Sequence, residues 1–315
     1  MSTKLRQIAS EQVLQWLGEG DAAIRWQTMR DLLDCPESEW EAERKRVATI
    51  GWGKQFIDRQ DQEGTWDSGI YSPKWTSTTY TLLTLIDLGI EPDHPAVKKG
   101  ADQIMDKGIV RLQGNGRLGS LQRNDVCVWG FYLHITAYFG LAGPLLEELC
   151  ELLLEEQMHD GGWNCRRQRL ASVRHGSFHT TFNVLEGLRV AARRGLMDRE
   201  EFLESEAKAM EFMLQHRMYK SDKTGEVINE HFTEFSYPPR WHYDVLRGLD
   251  YIRETPFAHD PRLSDALELL ESHAHGGIWA AQNKHAGKTH FNLEPTARQS
   301  RWNTLRALRV LRACA

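Results

Sequence analysis

A chain of 315 residues is long enough to bury a large core, and its 39 lysines and arginines against 44 acidic residues leave a net charge of -5 with no block of like charge. That balance gives no electrostatic support to nucleic-acid binding. Five scattered cysteines, an odd number in a large polar chain, do not read as a disulfide framework.

In chain order, the opening Met1-Ser-Thr-Lys-Leu-Arg-Gln-Ile run lacks the unbroken apolar core of an export signal, so a cytoplasmic address is expected. A helical pattern begins at Arg25-Trp26, and a polar amphipathic segment follows from Glu39 to Arg59. The turn phrase Gln62-Glu-Gly-Thr-Trp66 leads to Trp75 and the apolar Thr79-Tyr-Thr-Leu-Leu-Thr-Leu-Ile, then to a polar segment from Pro95 to Lys107. A third apolar pattern opens at Asn124-Asp125. The stretch from Gly130 to Leu146 is the most apolar in the chain, yet it contains His134 and Pro144 and is shorter than the roughly 18 to 20 residues a bilayer requires. It reads as a buried helix, and no integral membrane segment is expected.

Polar Pro144 to Gln157 precedes a second turn phrase, His159-Asp-Gly-Gly-Trp163, and a fourth opening at Ser177-Phe178. Arg199 to Arg217 is again polar, the fifth opening is Arg240-Trp241, and Pro261 to His273 leads through His275-Gly-Gly-Ile-Trp279 to the sixth at Arg301-Trp302. The openings recur about every 50 to 60 residues, as internal repetition of one unit would place them. A polar and apolar helix pair cannot bury its apolar member alone, whereas six such pairs can close with the apolar helices inside. One all-α domain, residues 1–315, is therefore expected as an α/α toroid of six helical hairpins. The three loop tryptophans read as covers for hairpin ends, with the glycines allowing the reversals.

Chemistry gathers where the third and fourth apolar helices begin, at Asp125-Val-Cys127-Val-Trp129 and Ser177-Phe-His179-Thr-Thr. Residues two apart on a helix point about 200° from each other, so Asp125 and Cys127 can share an ion only if Asp125 is in an extended cap position. Carboxylate, thiolate and imidazole together suit zinc, whereas magnesium and calcium take oxygen ligands. Asp125, Cys127 and His179 leave a fourth position that Cys165 can close. His175 reads as a neighbour of the site. Helical spacing places Cys127, Phe131, His134 and Tyr138 on one face and His179, Phe182, Asn183 and Glu186 on another, as walls of a cavity. Trp75, Phe131, Phe182, Trp241 and Trp302 are its expected aromatic lining, and His134 and Glu186 its acid and base groups.

At these residues the chain resembles the squalene cyclase and protein prenyltransferase β-subunit superfamily, and the likeness covers nearly the whole ring. Asp125-Val-Cys127 looks like the Asp-x-Cys zinc motif of the prenyltransferases. Ser177-Phe-His179-Thr-Thr-Phe-Asn-Val-Leu-Glu-Gly-Leu looks like their zinc-histidine helix, and single-domain bacterial members are the nearest in pattern. The resemblance implies an α/α toroid, a Zn2+ cofactor held by Asp125, Cys127 and His179, and an apolar isoprenoid substrate. The Asp-x-Asp-Asp acid of the cyclases does not occur, so protonation-initiated cyclisation is not expected.

The leading expectation is a zinc-dependent enzyme acting on an apolar small molecule. A second keeps the zinc as a structural ion in a lipid- or peptide-binding toroid. A third, a glycan-processing α/α barrel, replaces the metal with Glu186, Asp244 and aromatic stacking. His273, His275, His285 and His290 fit no zinc spacing. Arg217, Lys220, Lys223 and Arg240 flank the long connection into the fifth apolar helix, mostly as surface charge. Oligomeric state is not readable.

Overall fold

The computed structural model describes residues 8–110, 125–295 and 297–314. It is mostly helical, and among the described residues extended segments pair only as isolated bridges. In chain order the helices are α1 (Glu11–Gly18), α2 (Ala22–Asp31), α3 (Glu37–Lys45), α4 (Gly51–Ile57), α5 (Thr78–Leu88), α6 (Pro95–Gln103) and α7 (Val126–Tyr138). They continue as α8 (Pro144–Glu155), α9 (Phe178–Arg193), α10 (Arg199–Gln215), α11 (Val245–Ile252), α12 (Ser264–Ser272) and α13 (Arg301–Cys314). The third, fourth and sixth expected openings fall at the starts of α7, α9 and α13, whereas Arg25-Trp26 lies inside α2 and Trp75 and Arg240-Trp241 lie in the loops just before α5 and α11; Asn124 of the third lies outside the described residues.

Two segments differ from their sequence pattern. Glu39 to Arg59 is not one helix: α3 ends in a tight 3-10 turn at Arg46–Ala48 before α4 begins. Gly130 to Leu146 is likewise broken, because α7 stops at Tyr138 and Gly140 turns the chain at φ +83° before Pro144 opens α8. Hydropathy is continuous across that turn, so only the glycine and proline mark it. No helix among the described residues is long and apolar enough to cross a membrane.

The backbone divides into two compact units. A terminal unit gathers Met1–Phe56, Leu88–Glu91 and Met213–Ala315, and a middle unit gathers Ile57–Asp87 and Pro92–Phe212. In the terminal unit α13 packs on α2 and α11. A buried ionic group links these helices: Asp250 of α11 pairs with Arg306 at 3.3 Å, with Arg253 at 2.8 Å and with Arg309, which also reaches Asp31 of α2 at 3.3 Å. Burial raises the Asp250 pKa, but Arg309, Arg253 and Arg306 more than offset it and hold the carboxyl far below the usual carboxylate range.

In the middle unit α7 and α9 make the most extensive helix pair. A side chain on Gly130 would meet the Asn183 carbonyl at 2.5 Å, and one on Gly187 would meet the Gly130 carbonyl at 2.4 Å. Two bare backbones therefore touch. Gly130 faces Asn183 and Val184 while Gly187 faces Gly130 and His134, so residue number rises together along both helices and they run parallel. Their N-termini, which carry the Asp-x-Cys and His-Thr motifs, are thereby set side by side.

The loop tryptophans close a repeated clasp. The backbone N–H of Trp66 donates to Thr78 Oγ1 at 3.1 Å, that of Trp163 to Thr181 Oγ1 at 3.0 Å, and that of Trp279 to Thr304 Oγ1 at 3.0 Å. Each threonine is in the helix that follows its loop. The indole N–H of Trp163 also donates to the Leu153 carbonyl, and that of Trp279 to the Leu270 carbonyl, each at 2.7 Å. All three tryptophans are buried. Leaving such a buried N–H unmatched costs about 1–3 kcal/mol, so each clasp firmly ties its loop to the helix behind it.

Candidate metal centre

Asp125 precedes α7 with extended backbone, φ -65° and ψ 139°, and its carboxylate makes no capping bond to the helix. This is the geometry that sharing an ion with Cys127 requires, and the side chain is left to face its neighbours. One neighbour is Arg169, whose guanidinium pairs with the Asp125 carboxylate and also donates to the Cys165 carbonyl at 3.5 Å.

Cys165 comes from the loop between Trp163 and α9. The base of that loop is pinned by Asp160, whose carboxylate accepts from the N–H groups of Gly162 at 3.1 Å and Gly176 at 2.7 Å. Ser177 N–H donates to the Trp163 carbonyl at 2.7 Å, and the Asn164 amide donates to the His175 carbonyl at 2.9 Å. Held this way, Cys165 Sγ accepts from the Cys127 backbone N–H at 3.3 Å and lies 3.3 Å from Thr180 Oγ1. The ligand atoms of Asp125, Cys127 and Cys165 all lie within 4.8 Å of one another.

The two thiols share a proton unequally. A hydrogen bond from the Cys127 thiol, with further donors on Thr180 and the Cys127 backbone, brings the Cys165 pKa down to about 6 against the effect of burial. The same bond, then burial and the charge on Cys165, push Cys127 well above the ordinary thiol range. The positive end of α7 also favours a thiolate here. Burial raises the Tyr71 pKa against the lowering effect of the Tyr80 hydrogen bond, and the electrostatic influence of the cysteine pair adds to the rise, which puts the phenol within electrostatic reach of the cluster. Its hydroxyl accepts from Tyr80 at 3.1 Å.

Two sulfurs and a carboxylate at this separation fit zinc, whose sites combine thiolate with oxygen or nitrogen donors. They do not fit magnesium or calcium. His179, expected among the ligands, is the second residue of α9, half-buried and adjacent in sequence to Thr180. Its ring nitrogens are not part of the converging group. The structure thus brings together Asp125, Cys127 and the residue expected only as a fourth donor, Cys165.

The other expected site residues divide between the units. In the middle unit His134 and Glu186 are half-buried on α7 and α9, near the Gly130–Gly187 contact. Trp75, Phe131 and Phe182 are buried in the same unit, the first two meeting the Tyr80 ring edge-on at 4.9 and 6.2 Å. Trp241 and Trp302 belong to the terminal unit. Trp241 stacks on His242 at 3.7 Å, which stacks on His285 at 3.8 Å. Trp302 is buried between Tyr237 at 4.4 Å and Trp52 at 6.3 Å.

Asp244, the carboxylate of the glycan reading, is buried as the cap of α11. It accepts from Arg247 N–H at 2.8 Å and from Ser236 N–H at 3.1 Å and Oγ at 3.0 Å. Lys220 and Arg217 share Asp265 at 2.6 and 3.2 Å. His285 bonds Ser236 Oγ at 3.1 Å, and burial, with the charges of Arg240, His231 and Arg247, lowers its pKa to about 4.

Arg169, Thr180 and Tyr71 were not anticipated at the centre. Thr180 was within reach of sequence reasoning as the neighbour of His179, whereas Arg169 and Tyr71 are in loops with no periodic signal. Set against known proteins, the chain matches no family model, no curated protein and no solved structure.

Proposed function

We propose that this chain is a zinc-dependent enzyme built as an α/α toroid, acting on an apolar, isoprenoid-like small molecule. The observation that carries the metal is the convergence of Asp125, Cys127 and Cys165 within 4.8 Å. Three protein donors leave a position for a substrate atom, the arrangement of catalytic rather than structural zinc. When bound, zinc supplies Lewis-acid activation and keeps a ligating thiol as thiolate near neutral pH. The toroid is supported by the six alternating helix pairs and the three tryptophan clasps; the isoprenoid substrate is supported by the motif resemblance.

The chain's own residues have defined parts in this reading. Thr180 and the Cys127 N–H hold the Cys165 sulfur in its charged form. Arg169 neutralises Asp125 from the solvent side. His134, inside the helix that carries Cys127, and Glu186, inside the neighbouring helix that carries Thr180, serve as acid and base.

A second reading rests on Cys165 itself: if His179 turns into the group, four protein donors close the coordination and the ion is structural. Metal analysis and cobalt substitution separate the two. One zinc per chain is expected, lost in Cys127→Ala and Cys165→Ala. The cobalt form should change its visible spectrum when an alkanethiol is added, as an open position requires. A spectrum indifferent to thiol, with zinc retained, favours the structural ion. Purified protein without stoichiometric zinc, and with a melting temperature that zinc does not move, rejects both.

A further inference from the structure

The terminal unit contains a cleft of about 600 Å³ that the metal centre does not use. Trp16, Trp52, Asp21, Glu294, Arg298 and Arg301 are among its walls. Its floor is aromatic and stiff. Trp52 is the end ring of a column in which it lies over Trp302 at 23° and Trp302 lies over Tyr237 at 22°. Trp16 is held by Arg301, whose guanidinium sits 4.5 Å over the indole and whose Nε donates to the Trp16 carbonyl at 2.9 Å.

The charges around this floor balance, two carboxylates against two guanidinium groups, so the cleft selects neither an anion nor a cation. Both carboxylates are engaged in holding the walls. Asp21 accepts from Ala23 N–H at 3.0 Å and Trp52 N–H at 2.8 Å, and Glu294 accepts from Arg301 N–H at 2.7 Å. Arg298 and Gln299 differ. They are exposed, and among the described residues their side chains make no hydrogen bond within the chain. Their backbone is nevertheless fixed, because Gln299 bridges Ala280 and the Arg298 carbonyl accepts from Ala281 N–H at 3.1 Å. The indole N–H groups of Trp16 and Trp52 are likewise not used among the described residues.

A flat apolar floor, several directional donors on fixed backbone and no net charge match one ligand chemistry. A sugar ring presents C–H groups on its face and hydroxyls around its edge. We propose that this cleft binds a neutral saccharide, one ring stacked on Trp52 with its hydroxyls taken by Arg298 and Gln299. The volume is that of an ordinary small-ligand pocket. This site is independent of the zinc reading.

The test is saturation-transfer NMR and calorimetry on the intact chain with maltose, cellobiose and diacetylchitobiose, and with tetramethylammonium chloride and sodium benzoate as charged comparators. At least one disaccharide should bind saturably, and Trp52→Ala should abolish binding. Since Trp52 also packs on Trp302, the exposed Arg298→Ala and Gln299→Ala are the decisive variants. Each should weaken binding about three- to tenfold with an unchanged melting temperature and unchanged zinc content. Saturable binding by none of the three disaccharides overturns the proposal. So does binding that Arg298→Ala and Gln299→Ala leave unaltered, or binding of only the charged comparators.

Discussion

Asp250 in the terminal unit and Asp125 in the middle unit are both carboxylates beside arginine, and they differ in almost every other respect. Asp250 is enclosed by Arg253, Arg306 and Arg309 on helices that pack together. Asp125 is paired with one largely exposed arginine from a loop, and two thiols face its carboxylate. The first arrangement satisfies a charge completely and leaves it nothing further to bind. The second leaves donor atoms gathered and incompletely matched, which costs stability and is the usual mark of a site that takes a ligand. Paired residue types alone do not separate structure from function; the degree of saturation does.

The largest effect expected from this contrast is on the terminal unit. Asp250→Ala strands buried guanidinium groups and should destabilise the chain by about 3–5 kcal/mol in urea denaturation, whereas Asp125→Ala should change apo stability far less. The folded pKa of Asp250 is depressed, so its stabilisation is complete above about pH 4 and is lost as pH falls below that.

Zinc should narrow the gap between the two carboxylates. Free zinc at a hundred times its Kd should raise wild-type stability by about 2.7 kcal/mol, an increment absent from Asp125→Ala, Cys127→Ala and Cys165→Ala and intact in variants of the terminal unit. If Asp125→Ala keeps the increment, the comparison between the two carboxylates fails.

A smaller effect tests whether the two units share one construction. Thr181→Val in the middle unit and Thr304→Val in the terminal unit each remove the acceptor of a buried tryptophan N–H, and each should cost roughly 1–2 kcal/mol by thermal or chemical denaturation. Unequal losses would show that the clasp is a repeated sequence without a repeated energy.

The smallest effect is on reactivity rather than stability. In chelator-treated protein, iodoacetamide labelling of Cys165 followed by mass spectrometry should rise with pH around a midpoint near 6, while Cys127 stays unlabelled to much higher pH. Thr180→Val should move the Cys165 midpoint upward. Equal labelling of both cysteines would mean the proton is not shared as described.

How much of this was legible follows from which interactions are local. The six helix openings were readable because amphipathic periodicity is a property of ten or fifteen consecutive residues. The extended conformation of Asp125 was readable because two ligands on one side of a helix start demand it. What escaped depends on loops. Arg169 reaches Asp125 from a turn of the chain with no repeating pattern, and Cys165 outranks His179 because Asp160, Asn164 and Ser177 fold its loop back onto the start of α7. The carboxylates of the saccharide cleft escaped for a related reason. Asp21 reads as an ordinary helix cap, and its contact with Trp52 joins residues 31 positions apart.

The tryptophan clasps have a further consequence in time rather than in energy. Their two partners are separated by 12, 18 and 25 residues along the chain. Closing so short a span forfeits little chain entropy, and it does so before any distant helix has arrived. Each loop and the helix that follows it can therefore associate as a local unit, independently of the docking of distant helices.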